Sequence, residues 1–387
     1  MEFEEHYKIH LRTMSTNTPH PATVRSLGGV LDFRLSTRSY PDRSFYFQIL
    51  GRLLGIVFRS RDREFSSHVV IWDWTTGQKI AQVEFPGGPS SSFSFISEDY
   101  FVVARNSNSY DSGSPTEGDT MGRLDVCTLH TKSSKPLSYD EYCVASFTLP
   151  TLGKGQGESC LHLRCAPTPT LNSCYVQEDH YSRIYDMAPG SQLLCINIRT
   201  SSIISFPFSE PYGTLYIPAS SLLDMMAERD IHPQDNENIT QVCWSDWANH
   251  TSWVDTRDFR MNNERYMFGQ RTAAFSAEMG IPAPGYNAIV ILDFDERRLK
   301  LRRVAGSSAA GDVLSPHPTA AGSEFDMTQH LPVVHDPGCG QQFFQGKNIP
   351  QRSYVKTIIE LPPNHTDMLN SVMMDNEHSE NGYLVNI

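Results

Sequence analysis

The sequence predicts an all-β fold, an irregular β-propeller of about five to seven blades. Short apolar runs rich in aromatic and β-branched residues recur from Gly29 onward, separated by turn-forming residues. One hairpin pattern also recurs, with an Asp or Asn between apolar residues shortly before a turn, at Asp73, Asn197 and Asp293. The intervals between its copies correspond to two or three repeats of about 40 to 50 residues, the length of a propeller blade. An irregular assembly of two sheets is the alternative.

The strand over 69–74 is the clearest element of the sequence. Its apolar side chains fall on both faces of an extended chain, so the strand must be covered on both sides, as in stacked sheets. Asp73 stands where its carboxylate accepts hydrogen bonds from backbone N–H groups of the turn, and Gly77 supplies the positive φ that a tight hairpin requires. Two later hairpins are predicted on the same plan, with return strands over 203–206 and 299–301.

The first segment, residues 1–26, is predicted to form a short N-terminal helix from Glu4 to Met14 and a polar connector. Residues 27–387 are predicted to form one propeller-like domain. The N- and C-terminal strands are expected to share one blade, because closing the ring removes exposed strand edges. The other predicted strands are Val30–Leu35, Ser44–Phe47, Leu53–Phe58, Ser92–Phe95, Tyr100–Ala104, Arg123–Val126, Tyr354–Ile359, Ser371–Met374 and Tyr383–Ile387.

Only one interior stretch, Pro218–Arg229, has the pattern of a helix, with Ser220 or Ser221 as its N-cap. Three tryptophans follow within 244–253. Their spacing favours packing against a sheet face, and binding of a partner by the aromatic rings is the alternative.

Two long segments are predicted as loops, and loops on a rigid scaffold are where recognition usually occurs. Asn106–Gly122 is rich in Ser, Asp and Gly and is interpreted as a solvated hairpin loop. Residues 305–350 are interpreted as an excursion with little structure of its own. Within the first loop, Asp111–Thr116 resembles a phosphodegron, the acidic Asp-Ser-Gly motif that some ubiquitin ligases recognise once it is phosphorylated, although composition alone also accounts for it.

Charge and cysteine content exclude several classes of function. The formal charge is −12 and no basic block occurs, which disfavours nucleic acid as a partner because phosphate binding requires clustered Lys and Arg. The N-terminus lacks the apolar core of a signal peptide, and no apolar run is long enough to span a bilayer. The 8 cysteines include no Cys-x-x-Cys pair. The sequence therefore predicts a reducing, cytoplasmic or nuclear location, with no membrane partner.

No catalytic, cofactor-binding or metal-binding residues are predicted. The densest group of potential metal ligands is Cys160–Cys165, which contains His162, followed by Cys174 and His180. Alternation of side chains along a strand separates these ligands between two faces, and the paired cysteines of a zinc site are missing. Buried thiols are therefore favoured over zinc.

Two other segments contain residues typical of sites. Gly153–Ser159 is glycine-rich but lacks the P-loop pattern, so a mobile loop is favoured over a phosphate-binding loop. His317, His330 and His335 lie in the 305–350 excursion and are interpreted as solvated loop histidines. Propeller enzymes assemble their sites from distant blades, so a hydrolase or lyase with a site at the central channel is an alternative to a non-enzymatic protein.

A family resemblance rests on an ordered series of patches. The patches are Leu53–Phe58, Val70–Gly77, Ser94–Ala104, Ile217–Ser220, Trp244–Trp253, Tyr266–Arg271 and Ile291–Phe294. In this order they resemble the β-rich region that follows the F-box in a large group of F-box proteins of mushroom-forming fungi (basidiomycetes). The resemblance runs from about Leu53 to the C-terminus. It implies a propeller-like, WD-repeat-like recognition domain that presents protein targets to a cullin-based ubiquitin ligase.

An F-box is itself a helical segment of roughly 45 residues, which is more chain than precedes the β-rich region here. Either the protein lacks an F-box or the gene model begins late, so cullin-type ubiquitin ligase subunits are expected as partners only if an F-box exists upstream. The protein target and the partner-binding residues are unknown. The sequence predicts non-enzymatic protein recognition resembling the substrate-binding part of an F-box receptor. The alternatives are the propeller-type hydrolase or lyase and a scaffold with no ligase link.

Overall fold

The structure, a computed structural model, is dominated by strands. It describes residues 3–13, 16–23, 28–37, 43–60, 67–85, 92–106, 120–130, 139–151, 156–166, 192–202, 212–231, 239–255, 267–276, 288–301, 328–329, 333–335, 352–360, 371–373 and 384–386. The strands are β1 (Phe3–His10), β2 (Val30–Thr37), β3 (Arg43–Leu50), β4 (Leu53–Ser60), β5 (Ser67–Asp73), β6 (Gln78–Phe85), β7 (Ser92–Phe95), β8 (Tyr100–Asn106), β9 (Gly122–Thr128), β10 (Cys143–Thr148), β11 (Gln156–Ala166), β12 (Leu193–Ser202), β13 (Tyr212–Pro218), β14 (Thr240–Val242), β15 (Ser252–Asp255), β16 (Met267–Phe268), β17 (Arg271–Ser276), β18 (Ala288–Asp293), β19 (Thr328–Gln329), β20 (Val333–His335), β21 (Tyr354–Glu360), β22 (Ser371–Met373) and β23 (Leu384–Asn386). The prediction of an all-β class is confirmed.

Helices are few and short in the described part of the chain. They are α1 (Tyr139–Tyr142), α2 (Ala219–Glu228), α3 (Trp244–Trp247), a 3-10 turn over Ala248–His250 and a helical stretch over 296–301. Within these ranges, none has the length and apolar content that crossing a bilayer requires.

The strands form four larger sheets, which are antiparallel except where β14 joins β10 in parallel. Sheet I has the order β3-β4-β5-β6, and sheet II the order β14-β10-β9-β8-β7. Sheet III has the order β11-β12-β13-β15, and sheet IV the order β16-β17-β18-β21-β19, with β20 also on β21. Two further pairs stand apart, the N-terminal ribbon β1-β2 and the pair β22-β23.

Each larger sheet packs on the next one along the chain. In β5, Val70 and Trp72 face a cluster with the N-terminal ribbon, whereas Val69 and Ile71 face a cluster with sheet II. Sheet II alternates in the same way, because its two faces contribute to separate clusters with sheet I and with sheet III. Sheet III then meets sheet IV, where the rings of Tyr216 and Phe294 lie 4.6 Å apart. The described strands form no closed barrel or ring.

The hairpin between β5 and β6 matches its prediction. The Asp73 carboxylate accepts hydrogen bonds from the backbone N–H groups of Thr75 and Thr76, at 3.0 and 3.2 Å. Gly77 has φ 75°. Burial acts to raise the pKa of Asp73, but the hydrogen bond from the Thr75 hydroxyl, the two backbone hydrogen bonds and the nearby Arg52 together hold it below the ordinary value.

The predicted helix from Glu4 to Met14 is wrong. Residues Phe3–His10 form β1, which pairs along its length with β2. Tyr7, Ile9 and Leu11 alternate with exposed polar residues and pack on the cluster beneath the ribbon. The period of two, typical of a strand, therefore outweighed the helix-forming Glu and Lys residues. The division of the chain at residue 26 stays a prediction.

The interior helix is confirmed as α2, but its predicted cap is wrong. The helix begins at Ala219 with Pro218 at the N-cap, and neither Ser220 nor Ser221 caps it. The prediction that it is the only interior helix is also wrong, since α1, α3 and 296–301 are helical.

The predicted return strand over 299–301 is wrong as well, since the chain enters the helical stretch over 296–301 after β18. There the Asp295 carboxylate accepts a hydrogen bond from the Arg297 backbone N–H at 2.9 Å, as an N-cap does. The other return strand, over 203–206, lies outside the described residues.

Two expectations about the chain ends and the long excursion need correction. Among the described strands, β1 pairs with β2 and β23 pairs with β22, so the first and last strands do not share a sheet. The 305–350 excursion contains β19 and β20, both of which pair with β21. By contrast, the hairpin loop Asn106–Gly122 is placed as predicted, because its two end residues are directly paired.

In sheet III, Gly213 packs so closely against a tryptophan ring that no side chain fits there. A Cβ at Gly213 would lie 1.7 Å from the indole ring of Trp253. Trp253 is 6% exposed and belongs to the cluster between sheets II and III. The missing side chain at 213 therefore allows the indole of Trp253 to approach the backbone of β13 closely.

We expect Gly213→Ala to lower the free energy of unfolding by about 1–3 kcal/mol, because the new methyl group displaces the indole. Trp253→Leu removes the ring that the methyl would strike. In urea unfolding of both single variants and the double variant, the double should therefore lose less stability than the sum of the two singles. Additive losses would contradict this role of Gly213.

Candidate functional site

The most exposed apolar surface of the described residues lies on β3. Phe45, Phe47 and Ile49 are 71%, 56% and 45% exposed, and we call these three residues the β3 stripe. They share one face, because alternate side chains of a strand point the same way. The residues between them face the opposite side, where Gln48 and Leu50 are buried against sheet II. Of the four exposed large apolar side chains that the structure describes, three belong to the stripe.

The stripe is exposed because the N-terminal ribbon covers only part of sheet I. The stripe residues pair in register with Phe58, Ile56 and Leu54 of β4. Those β4 residues are buried in one cluster with Trp72 of β5 and with Phe33 of the ribbon. The stripe thus continues a buried apolar face out to the edge strand. β3 pairs only with β4 among the described residues, so no described strand occupies its outer edge.

A second feature is a group of buried polar side chains around Asp125 in sheet II. Asp125 is completely buried and accepts a hydrogen bond from the Ser146 hydroxyl at 2.6 Å on Oδ1. Its Oδ2 accepts from the Arg123 Nε at 3.1 Å and from the Tyr139 hydroxyl, and it lies 3.5 Å from a terminal nitrogen of Arg105. The carboxylate therefore has partners for both oxygens.

The titration of the neighbouring groups fits a structural role. Burial and the charge of Asp125 raise the pKa of Tyr139 far above that of a free tyrosine, so its hydroxyl stays protonated and donates. Burial, followed by the contact with Cys143, raises the pKa of Cys127 well above the ordinary value. With its oxygens engaged, Asp125 is poorly placed to take a proton from a substrate.

The predicted site residues are spread across the chain. Cys160, His162 and Cys165 lie on β11, a strand as expected. Cys174, His180, Asp111–Thr116, His317 and His330 lie outside the described residues, and His335 ends β20. The glycine-rich segment is only partly testable, since Gln156–Ser159 belong to β11 rather than to a loop.

The three tryptophans pack as predicted. Trp244, Trp247 and Trp253 are all nearly buried, and the Trp247 ring lies 5.7 Å from Phe147 in an edge-to-face contact. Its indole N–H donates to the Thr148 carbonyl at 3.1 Å. These rings therefore hold sheet II against its neighbours and are not available to a partner.

Metal ligands do not converge in the described part of the chain, where no three His, Cys, Asp or Glu side chains lie close enough to hold an ion. The cysteines that can be assessed there, Cys127, Cys143, Cys195 and Cys243, carry free thiols.

Both structural features were missed at the sequence level. In 45–50 the apolar residues fall on both faces of the strand, which is the pattern of a buried strand and gives no sign that one face is open. Asp125 stands between apolar residues like Asp73, but its partners come from β8, β10 and α1. Pairing between those elements could not be read from one sequence.

Comparison with known proteins adds little. No family model matches the sequence, and no curated protein matches it significantly. Among solved structures, the crystal structure of an ACO/RPE65 chimera aligns at 8% identity with a TM-score of 0.26, covering 65% of this chain and 49% of that one. This chain thus spans about half the length of that protein. A TM-score this low does not establish a shared fold.

We expect Asp125→Asn to destabilise the protein by about 3–5 kcal/mol, because it removes the buried charge that faces Arg105 and Arg123. Denaturant unfolding measures the loss. Asp246→Asn is the matched control, since Asp246 pairs with Arg229 at the surface at 2.7 Å and should change stability little. An Asp125 variant as stable as the control would show that the buried ion group does not hold sheet II together.

Proposed function

We propose that this protein is a non-enzymatic recognition module that binds an extended segment of another protein along β3. The observation that carries the proposal is the β3 stripe. Contiguous exposed apolar side chains on a folded protein commonly mark interaction sites. The stripe also lies on a strand edge that no described strand occupies, and the backbone N–H and C=O groups of such an edge can pair with an added strand.

The size of the stripe argues for a peptide segment as the occupant. Free side chains of this kind present roughly 150–250 Å² each, so the exposed fractions leave on the order of 300 Å² of apolar surface. A stable interface between two folded proteins buries about 800 Å² on each partner. The stripe alone is too small for that, whereas a strand of alternating apolar residues would use both the stripe and the edge hydrogen bonds.

The resemblance to the region that follows the F-box in fungal proteins extends the proposal. The sheets would be irregular blades of a propeller, which is supported by the way each sheet packs on the next. The bound segment would then belong to a protein selected for ubiquitylation, and cullin-type ligase subunits would be partners only if an F-box exists upstream. The non-enzymatic part of the proposal is supported by Asp125, whose oxygens are occupied by protein donors.

Selection of short random peptides displayed on phage tests the proposal. Against the purified protein, we expect enrichment of peptides with apolar residues at alternate positions. Their binding should fall about tenfold or more in Phe47→Ser, because the loss of one buried aromatic contact costs more than 1.4 kcal/mol. Titration of a labelled enriched peptide measures the change.

Leu301→Ser is the matched control, because Leu301 is 69% exposed but lies in the helical stretch after β18. This variant should bind like the unmodified protein. Peptide binding that is equal in Phe47→Ser and the unmodified protein would overturn the proposal. So would a dimer in analytical ultracentrifugation that Phe47→Ser dissociates, since the occupant would then be a second copy of the chain.

A further inference from the structure

The direction in which each backbone group of β4 points can be fixed from one hydrogen bond. In an antiparallel sheet, a residue directs its N–H and its C=O toward the same neighbouring strand, and successive residues alternate between the two neighbours. Just before β4, the Arg52 carbonyl accepts from the Trp74 backbone N–H at 2.9 Å, so Arg52 faces β5. The even-numbered residues of β4 continue this alternation and face β5, and its odd-numbered residues therefore face β3.

The residues of β3 divide into two sets by the same argument. Tyr46, Gln48 and Leu50 are directly opposite odd-numbered residues of β4 and pair with them through the backbone. The two-residue turn that follows agrees, because a turn of this length closes on a hydrogen-bonded pair, here Leu50 with Leu53. The three residues of the β3 stripe alternate with this set. Their N–H and C=O groups therefore point to the outer edge of β3, which no described strand occupies.

Each stripe residue thus offers two kinds of contact at one position, an exposed apolar side chain and a backbone donor and acceptor at the strand edge. In an added antiparallel strand, the residues directly opposite the stripe exchange both hydrogen bonds with it, and their side chains lie on the same face as the stripe. The same ligand residues then make the hydrogen bonds and the apolar contacts. In an added parallel strand, the hydrogen bonds come instead from the ligand residues between them.

We propose that the ligand of the stripe adds to sheet I as an antiparallel strand, with its apolar residues directly opposite Phe45, Phe47 and Ile49. This inference rests on the function proposed above and specifies the orientation and register of the bound segment. Antiparallel addition continues the pairing found throughout sheet I, and antiparallel pairs are slightly more stable per residue than parallel ones. The ligand class is a segment with apolar side chains at positions i, i+2 and i+4, none of them proline, because each must donate its N–H.

N-methyl scanning of a peptide enriched by phage display tests the orientation. Methylation removes one backbone N–H from the peptide and keeps the side chain. At any of the three apolar positions it should weaken binding to the full chain about fivefold or more, because one hydrogen bond is lost and the methyl group meets the edge of β3. Methylation of the residues between them is the matched control and should leave binding nearly unchanged, since their N–H groups point away from β3. Titration of each labelled peptide measures the dissociation constant.

The outcomes separate this inference from the proposed function. Loss of binding at the intermediate positions alone would show a parallel strand, and equal effects at every position would show binding without strand addition. Either result overturns the inference, while a loss of binding in Phe47→Ser still supports recognition at the stripe. Binding that does not depend on Phe47 contradicts the proposed function itself.

Proline substitutions in β3 test the backbone directions without a ligand. Phe45→Pro removes an N–H that points to the outer edge, whereas Tyr46→Pro removes one that pairs with Val57. Each is compared with the alanine variant at the same position in urea unfolding. Proline should cost little more than alanine at 45 and clearly more than alanine at 46. An equal extra cost at the two positions would contradict the assigned directions.

Discussion

Strands that are apolar on both faces impose the architecture of this protein. A strand such as β5, with Val69 and Ile71 on one face and Val70 and Trp72 on the other, loses stabilisation wherever either face meets water. Each sheet must therefore be covered twice, and the chain achieves this by laying successive sheets against one another. The close packing leaves room for glycine alone at certain points, as at Gly213 beneath its tryptophan.

The same stacking explains why charge inside sheet II is tolerated. A carboxylate between two apolar layers is expensive unless donors surround it. Asp125 satisfies this condition by drawing donors from three strands and a short helix, so removing water from the sheet interface does not leave it unpaired. Asp125 also lies beside Arg105 and Arg123, which face each other in adjacent strands, and its charge offsets their repulsion.

Most strands, and the burial of strands such as β5 on both faces, could be predicted from the sequence, because alternation and turn residues are local signals. Prediction failed where a local signal had two interpretations. The N-terminal segment contains good helix formers, yet Tyr7, Ile9 and Leu11 alternate as in a strand. This alternation decides the structure because β1 pairs with β2, and that pairing is not visible in the local sequence. A return strand was predicted over 299–301, but Asp295 caps a helical stretch there instead. The β3 stripe could not be predicted, since exposure depends on how far the ribbon reaches across sheet I.

The incomplete reach of that ribbon has a consequence for the behaviour of the protein at high concentration. A long strand edge bordered by phenylalanine rings is a template on which further strands of any chain can grow. Soluble proteins usually protect such edges with charge, proline or a bulge, and over 45–50 none of these interrupts β3. A ligand bound along the edge of β3 would therefore also prevent other chains from adding strands there. In the cell, the supply of that ligand would set how much free protein can accumulate without forming fibrils.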